Sequence, residues 1–120
     1  MGSKNKLKRF KENLSFSNLF QPSRSELLAN SFKHKGLWSD YFKNNNPIVL
    51  ELGCGKGEYT CSLAEKYPNK NFIGLDIKGA RIWSGAKYAV VNSIKNACFI
   101  RAQIELIEFL FSENEVSEVW

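Results

Sequence analysis

Three glycines in five residues, Gly53, Gly55 and Gly57, stand between an apolar run and a helical pattern. The run, Ile48-Val49-Leu50-Glu51-Leu52, has the length of a strand and the apolar content of one buried on both faces, as strands of parallel sheets are. After the glycines, Glu58 to Tyr67 places Tyr59, Leu63 and Ala64 on one helical face and stops at Pro68-Asn69. A strand that turns this tightly into a helix needs glycine, because the turn is sharp and a ligand approaching the backbone must meet no Cβ. The alternation then repeats. Asn71 to Asp76 reads as a second strand, Ala80 to Ser93 as a helix weakened by Gly85, and Ala97 to Arg101 as a third strand. Ile104 to Phe111 reads as a third helix, and Val116 to Trp120 begins a fourth strand. Strands alternating with helices of these lengths predict an α/β chain with a parallel sheet and right-handed crossovers.

What precedes the first strand differs in character. Residues 1–43 carry nine Lys/Arg against three Asp/Glu, whereas residues 44–120 carry eight against nine. Residues 1–31 read as a basic, partly disordered arm: the first thirteen are polar and cationic, and Pro22 with scattered Ser and Asn argues for irregular backbone. Phe16, Leu19 and Phe20 could dock that arm onto the domain. Residues 32–46 read as a helix over Phe32 to Lys43 and a linker, Asn44-Asn45-Asn46-Pro47 being the break before the core domain at 47–120. A cationic leading segment suits an anionic partner, RNA or DNA first; mere solvation of a tail is the competing use.

The acid that ends the second strand, Asp76, gives the glycine turn its meaning. In a sheet of this kind that position faces the ribose of a nucleotide, and a carboxylate can accept from both ribose hydroxyls. The spacing then discriminates among ligands. A dinucleotide site of the G-x-G-x-x-G type needs glycine at position 58, which is Glu58. A P-loop needs Ser or Thr after Gly-Lys, but Gly55-Lys56 is followed by Gly57. Glu51, two residues before the first glycine, opposes a pyrophosphate but suits S-adenosylmethionine, which has no phosphate and carries a sulfonium and an ammonium. The candidate cofactor residues are therefore Glu51, Gly53, Gly55, Gly57, Asp76 and the adjoining Ile77. Gln103 and Ile104 join them at the third strand end, where Gln103 can both accept from and donate to an adenine and Ile104 could cover the ring. A helix-opening polar residue followed by a core Ile is the plainer reading of that pair.

Other classes are disfavoured. Cys54, Cys61 and Cys98 show no metal-ligand spacing, and His34 is the single histidine, so neither a metal site nor a disulfide framework is expected. No apolar stretch approaches the roughly 20 residues of a membrane span, and no apolar core follows the basic start as in a signal peptide. The expectation is a cytoplasmic protein without a membrane partner.

With these residues in place, the chain resembles the bacterial tRNA (guanine-N7-)-methyltransferase family. The resemblance lies in Val49 to Glu58, in Asn71 to Arg81 and in Gly85-Ala86-Lys87, covering about residues 34–120. The first stretch is shared by many methyltransferases; Ile77-Lys78-Gly79-Ala80-Arg81 after the acid is much more specific. The resemblance implies a Rossmann-like, S-adenosylmethionine-dependent methyltransferase fold, here with about four parallel strands, and cofactor roles for Glu51, Gly53, Asp76 and Gln103. Many members carry Glu at the position of Asp76 and Asp at that of Gln103. It also implies tRNA as partner, with Lys56, Lys78 and Arg81 as substrate-binding residues beside the tail's Lys4, Lys6, Lys8, Arg9 and Lys11. In the family the fourth strand continues into a Phe-Pro-Asp-Pro segment and a substrate-binding half. This chain ends at Trp120 in that strand, so it is expected to be the cofactor-binding N-terminal part, without an assignable catalytic residue, inactive alone and prone to self-association at the uncovered edge around Val116 and Trp120. The rivals are a methyltransferase for another substrate and a non-catalytic RNA- or cofactor-binding module. For Arg81 an ion pair on its own helix competes with a substrate contact, and for Trp38 and Trp83 packing competes with base stacking.

Overall fold

Asn71–Asp76 is buried at every position, as the central strand of a covered sheet must be. The computed structural model, which describes residues 2–120 and side chains from Asn5 onward, places this strand in the middle of a five-stranded parallel sheet. Met1 and the side chain of Lys4 lie outside the described residues.

The elements follow in the order α1 (Gly2–Asn13), β1 (Leu19–Phe20), α2 (Arg24–Leu28), α3 (Trp38–Phe42), β2 (Ile48–Leu52), α4 (Glu58–Lys66), β3 (Asn71–Asp76), α5 (Gly79–Val91), β4 (Ala97–Arg101), a 3-10 segment (Ile104–Phe109) and β5 (Glu118–Val119). The strand order is β1-β4-β3-β2-β5, all neighbours parallel. Alternate strand residues serve opposite layers. Leu50, Ile73, Leu75 and Ile100 pack with Leu27, Trp38, Leu106 and Leu110 on one side. On the other, Phe99 packs with Ile82, Ala86 and Ala89 of α5, and Val49 and Phe72 pack with Ala64 of α4. This is the period-two alternation that buries both faces of a sheet.

The alternating part agrees closely with the sequence: β3 and β4 have the expected bounds, α4 differs by one residue and α5 by one or two. Three segments differ. Residues 2–13, expected to be poorly ordered, form a helix docked on α5. Asn13 Nδ2 donates to the Gly79 carbonyl at 2.9 Å, Trp83 Nε1 donates to Glu12 Oε1 at 3.3 Å, and Arg9 lies 4.4 Å from the Trp83 ring centroid. Composition reports only that this segment is well solvated; its helical state depends on a docking face supplied seventy residues later. The expected helix over Phe32 to Lys43 shortens to Trp38–Phe42, because Gly36 at φ 79° breaks it and Lys43 ends it at φ 61°. The third helix is instead a 3-10 segment interrupted at Leu106 (φ −100°, ψ 15°), whose kink lets Leu106 and Leu110 both enter the core.

The arm is therefore part of the sheet. Leu19 and Phe20 pair with Phe99 and Ile100, making β1 an edge strand. Phe20 then sits among aromatic rings, with centroids 4.6 Å from His34, 5.1 Å from Tyr41 and 5.4 Å from Trp38. Trp38 is fully buried, and its Nε1 donates to the Leu110 carbonyl at 3.0 Å. At the opposite edge β5 pairs with β2, leaving Val119 and Trp120 about half exposed while Val116 is partly buried.

Replacing Trp38 by Ala removes the ring that joins the arm, α3 and the 3-10 segment and strips the Leu110 carbonyl of its donor. The expected loss is about 3–5 kcal/mol of stability, read as a lower midpoint in urea denaturation.

Candidate functional site

The three glycines of the β2–α4 turn all have positive φ, 67° at Gly53, 56° at Gly55 and 74° at Gly57, yet they serve different ends. A Cβ on Gly57 would stand 2.6 Å from Phe99 Cε1 and 3.0 Å from Gly85 Cα, so Gly57 lets α4 and α5 close over β4. A Cβ on Gly55 would meet Arg81 Nη2 at 3.0 Å. On Gly53 it would meet nothing within 4 Å. Gly53 therefore faces open space, where a bound molecule can reach the backbone.

Asp76 ties this turn to the sheet. Its Oδ2 accepts from the Gly55 N–H at 2.9 Å and its Oδ1 from the Lys78 N–H at 2.9 Å. Its carbonyl accepts from the Ala102 N–H at 3.1 Å, and the Cys54 N–H donates to the Leu75 carbonyl at 2.9 Å. The carboxylate is thus held at the joint of β3, the turn and the start of α5. Each oxygen spends one lone pair on the backbone and keeps another for a ligand hydroxyl. Glu51, half-buried at the end of β2, accepts through Oε1 from the Thr60 hydroxyl of α4, which fixes the carboxylate without exhausting its acceptor sites. The turn thus has what a sugar-bearing cation needs: an open glycine, a fixed acid at the strand end and a second acid beside it.

A cavity of about 250 Å³ opens past the ends of β3 and β4. Ile77, Ala102, Gln103 and Leu106 line it together with Pro22, Arg24 and Leu27 of the arm. Its apolar walls and polar end suit a flat heterocycle. Ile77 and Gln103 thus come together beside Asp76 as the spacing suggests, whereas Ile104 is 45% exposed and lies outside the cavity lining; Leu106 occupies that wall. The arm's contribution escaped sequence reasoning. Its available signal was Ser23 with Glu26, a capping pair whose side chain and backbone bond at 3.0 Å to start α2.

The cationic candidates are at the rim. Lys56, Lys78 and Arg81 are exposed around the turn, and Lys6, Lys8 and Lys11 are exposed on α1. Among the described residues Arg81 makes no ion pair; its guanidinium lies beside Gly55 instead. Trp83 is packed between Arg9 at 4.4 Å and Lys87 at 4.9 Å, and Trp38 is in the core, so neither ring is a bare platform. All three thiols are buried. Burial, then Asp76 and Glu51, push the Cys54 thiol far up, and burial with Glu65 pushes Cys61 up to about 12. Both stay protonated near neutral pH and supply no thiolate nucleophile. Among the described residues no cluster of His, Cys, Asp or Glu could hold a metal ion, and no helix is long and apolar enough to cross a membrane.

Residues 45–120 match the model of a family described as putative methyltransferase. A tRNA (guanine-N(7)-)-methyltransferase of Christiangramia forsetii is 66% identical over 100% of this chain and 54% of its own length. One of Bacteroides fragilis is 49% identical over 98% of this chain and 47% of its own. The chain spans about half the length of these curated relatives. Among solved structures, the bifunctional kinase-methyltransferase WbdD matches 91% of this chain and 27% of its own with a TM-score of 0.55 at 21% identity, a likeness of fold.

The two glycines at the ends of the turn should respond differently to a Cβ. Gly53→Ala is expected to cost about 1–2 kcal/mol, the backbone strain of a left-handed non-glycine residue. Gly57→Ala should cost more, because Phe99 and the Gly85 backbone must also move. Urea denaturation of the two variants side by side measures the order.

Proposed function

The chain belongs to the methyltransferase family that its residues 45–120 match, and we propose that it binds S-adenosylmethionine at the Gly53–Gly57 turn and serves methyl transfer to N7 of a guanine in tRNA. The observation that carries the cofactor reading is the turn itself: Asp76 holds the Gly55 and Lys78 amides, while Gly53 leaves its ligand side open. Relatives named tRNA (guanine-N(7)-)-methyltransferases, 66% and 49% identical, support the choice of guanine in tRNA.

In this reading Asp76 accepts from the ribose hydroxyls, Ile77 and Leu106 enclose the adenine, and Gln103 hydrogen-bonds its edge. Glu51 attracts the ammonium and sulfonium end. Gly55 and Gly57 shape the turn, and Ile104, outside the cavity lining, is left as a rim residue. S-Adenosylmethionine, when bound, supplies a methyl on a sulfonium, which a guanine N7 lone pair can take without a general base. Catalysis of that step is chiefly a matter of holding the reacting atoms close and aligned, so the chain's contribution is a rigid cofactor seat. No residue of residues 47–120, the cofactor-binding part, is assigned a proton transfer. Lys56, Lys78 and Arg81, with the exposed lysines of α1, would position tRNA through its phosphates.

Isothermal titration with S-adenosylhomocysteine should give one site per chain, and Asp76→Ala should weaken binding by about tenfold or more, the scale of a hydrogen bond to a charged group. Absence of heat from the folded wild-type chain would reject the cofactor reading. For the nucleic acid, filter binding to tRNA should weaken steeply with salt. Each of Lys56→Ala, Lys78→Ala and Arg81→Ala should lower the log–log salt slope by about 1 if its phosphate contact is real. Three unchanged slopes would remove the turn rim from the tRNA surface.

A further inference from the structure

We propose that Arg24 of the arm is a positioning and specificity residue of the cofactor site: it holds the Gln103 amide in one orientation, so that the site reads a 6-amino purine and rejects a 6-oxo purine. This rests on the S-adenosylmethionine reading above.

The inference starts from a hydrogen bond between residues 79 apart in the chain, Arg24 Nη1 donating to Gln103 Oε1 at 2.7 Å. A guanidinium has five N–H donors and no acceptor. The atom of Gln103 that faces it must therefore be the amide oxygen, and turning the amide over would set NH2 against the cation. With the oxygen held by Arg24, the amide nitrogen is left to donate, and the oxygen keeps one lone pair. A primary amide so fixed offers one acceptor and one donor side by side. Adenine presents the complement, an amino donor beside a ring-nitrogen acceptor. Hypoxanthine presents the reverse, a carbonyl beside an N–H, and would need the amide turned over.

Arg24 can do this because its backbone is held. It opens α2, where the Ser23 hydroxyl accepts from the Glu26 N–H at 3.0 Å. Leu27, on the same short helix, is fully buried against the sheet. Phe20, four residues before Arg24, is paired in β1 and set into the ring cluster around Trp38. Arg24 and Gln103 also line the same cavity as Ile77, next to Asp76. The arm, outside residues 45–120, thus lines part of the pocket and bonds a polar group of its lining.

The test compares S-adenosylhomocysteine with S-inosylhomocysteine by calorimetry on the full chain, for wild type, Arg24→Met and Arg24→Lys. Wild type should prefer the adenosyl compound by about tenfold or more. Arg24→Met keeps the apolar stem and loses the donor. It should weaken the adenosyl compound by only about twofold, the cost of an amide free to take either orientation, and shrink the preference because the amide can now turn for the inosyl compound. Arg24→Lys keeps a donor-only group and should restore much of the preference. Thermal melts of all three should coincide, since the bond is at the surface. An unchanged preference in Arg24→Met, with wild type binding the adenosyl compound, overturns the inference and leaves the cofactor reading standing. Failure of wild type to bind either compound overturns both.

Discussion

The paired hydrogen bonds from the Gly55 and Lys78 amides to the Asp76 carboxylate hold the site's parts in place relative to one another. They tie the glycine turn after β2 to the end of β3 and to the first residues of α5, beside the Cys54 N–H bond to the Leu75 carbonyl. A carboxylate accepting from backbone N–H groups makes a charge-assisted bond, stronger than a neutral one and directional. It is also short, so the acid must sit at the end of its strand. The central strand β3 supplies that end, and its neighbours stop beside it, Arg101 opposite Asp76 and Leu52 opposite Leu75.

Close packing behind the turn supports that joint. Gly57 and Gly85 bring α4 and α5 together over Phe99, where a methyl group on either glycine would stand under 3.0 Å from the ring. The helices therefore approach the sheet at glycines, and the turn inherits its position from their contact. Gly53 has no such neighbour. The same residue type answers two different constraints within five positions: interior density at one end and access for a ligand at the other.

The arm extends this logic to the cavity lining. Its apolar residues are few, but they go where they count: Leu19 and Phe20 into the sheet edge, Leu27 into the core. Its polar residues bind backbone carbonyls of α5, Asn13 at Gly79 and Asn18 at Ala86. A segment can look solvated in composition and still be fixed by a handful of specific contacts, because each contact draws on a surface built by the rest of the chain.

The alternating elements, the glycine turn and the acid that partners it are legible in the order of residues alone. Those features are local: hydrophobic period selects strand or helix, backbone sterics select glycine, and the rejected phosphate-loop and dinucleotide spacings are read from neighbouring residues. The same order also names Ile77 and Gln103, since both follow strand ends. It takes the folded chain to make residues 2–13 helical, to add a strand from the arm, to put Leu106 in the cavity lining where Ile104 was expected, and to bring Arg24 to Gln103. Each of these depends on groups that pack together from distant parts of the chain, 66 residues apart for Asn13 and Gly79 and 79 for Arg24 and Gln103. No local period encodes such pairings; they exist once the sheet has brought its strand ends to one side.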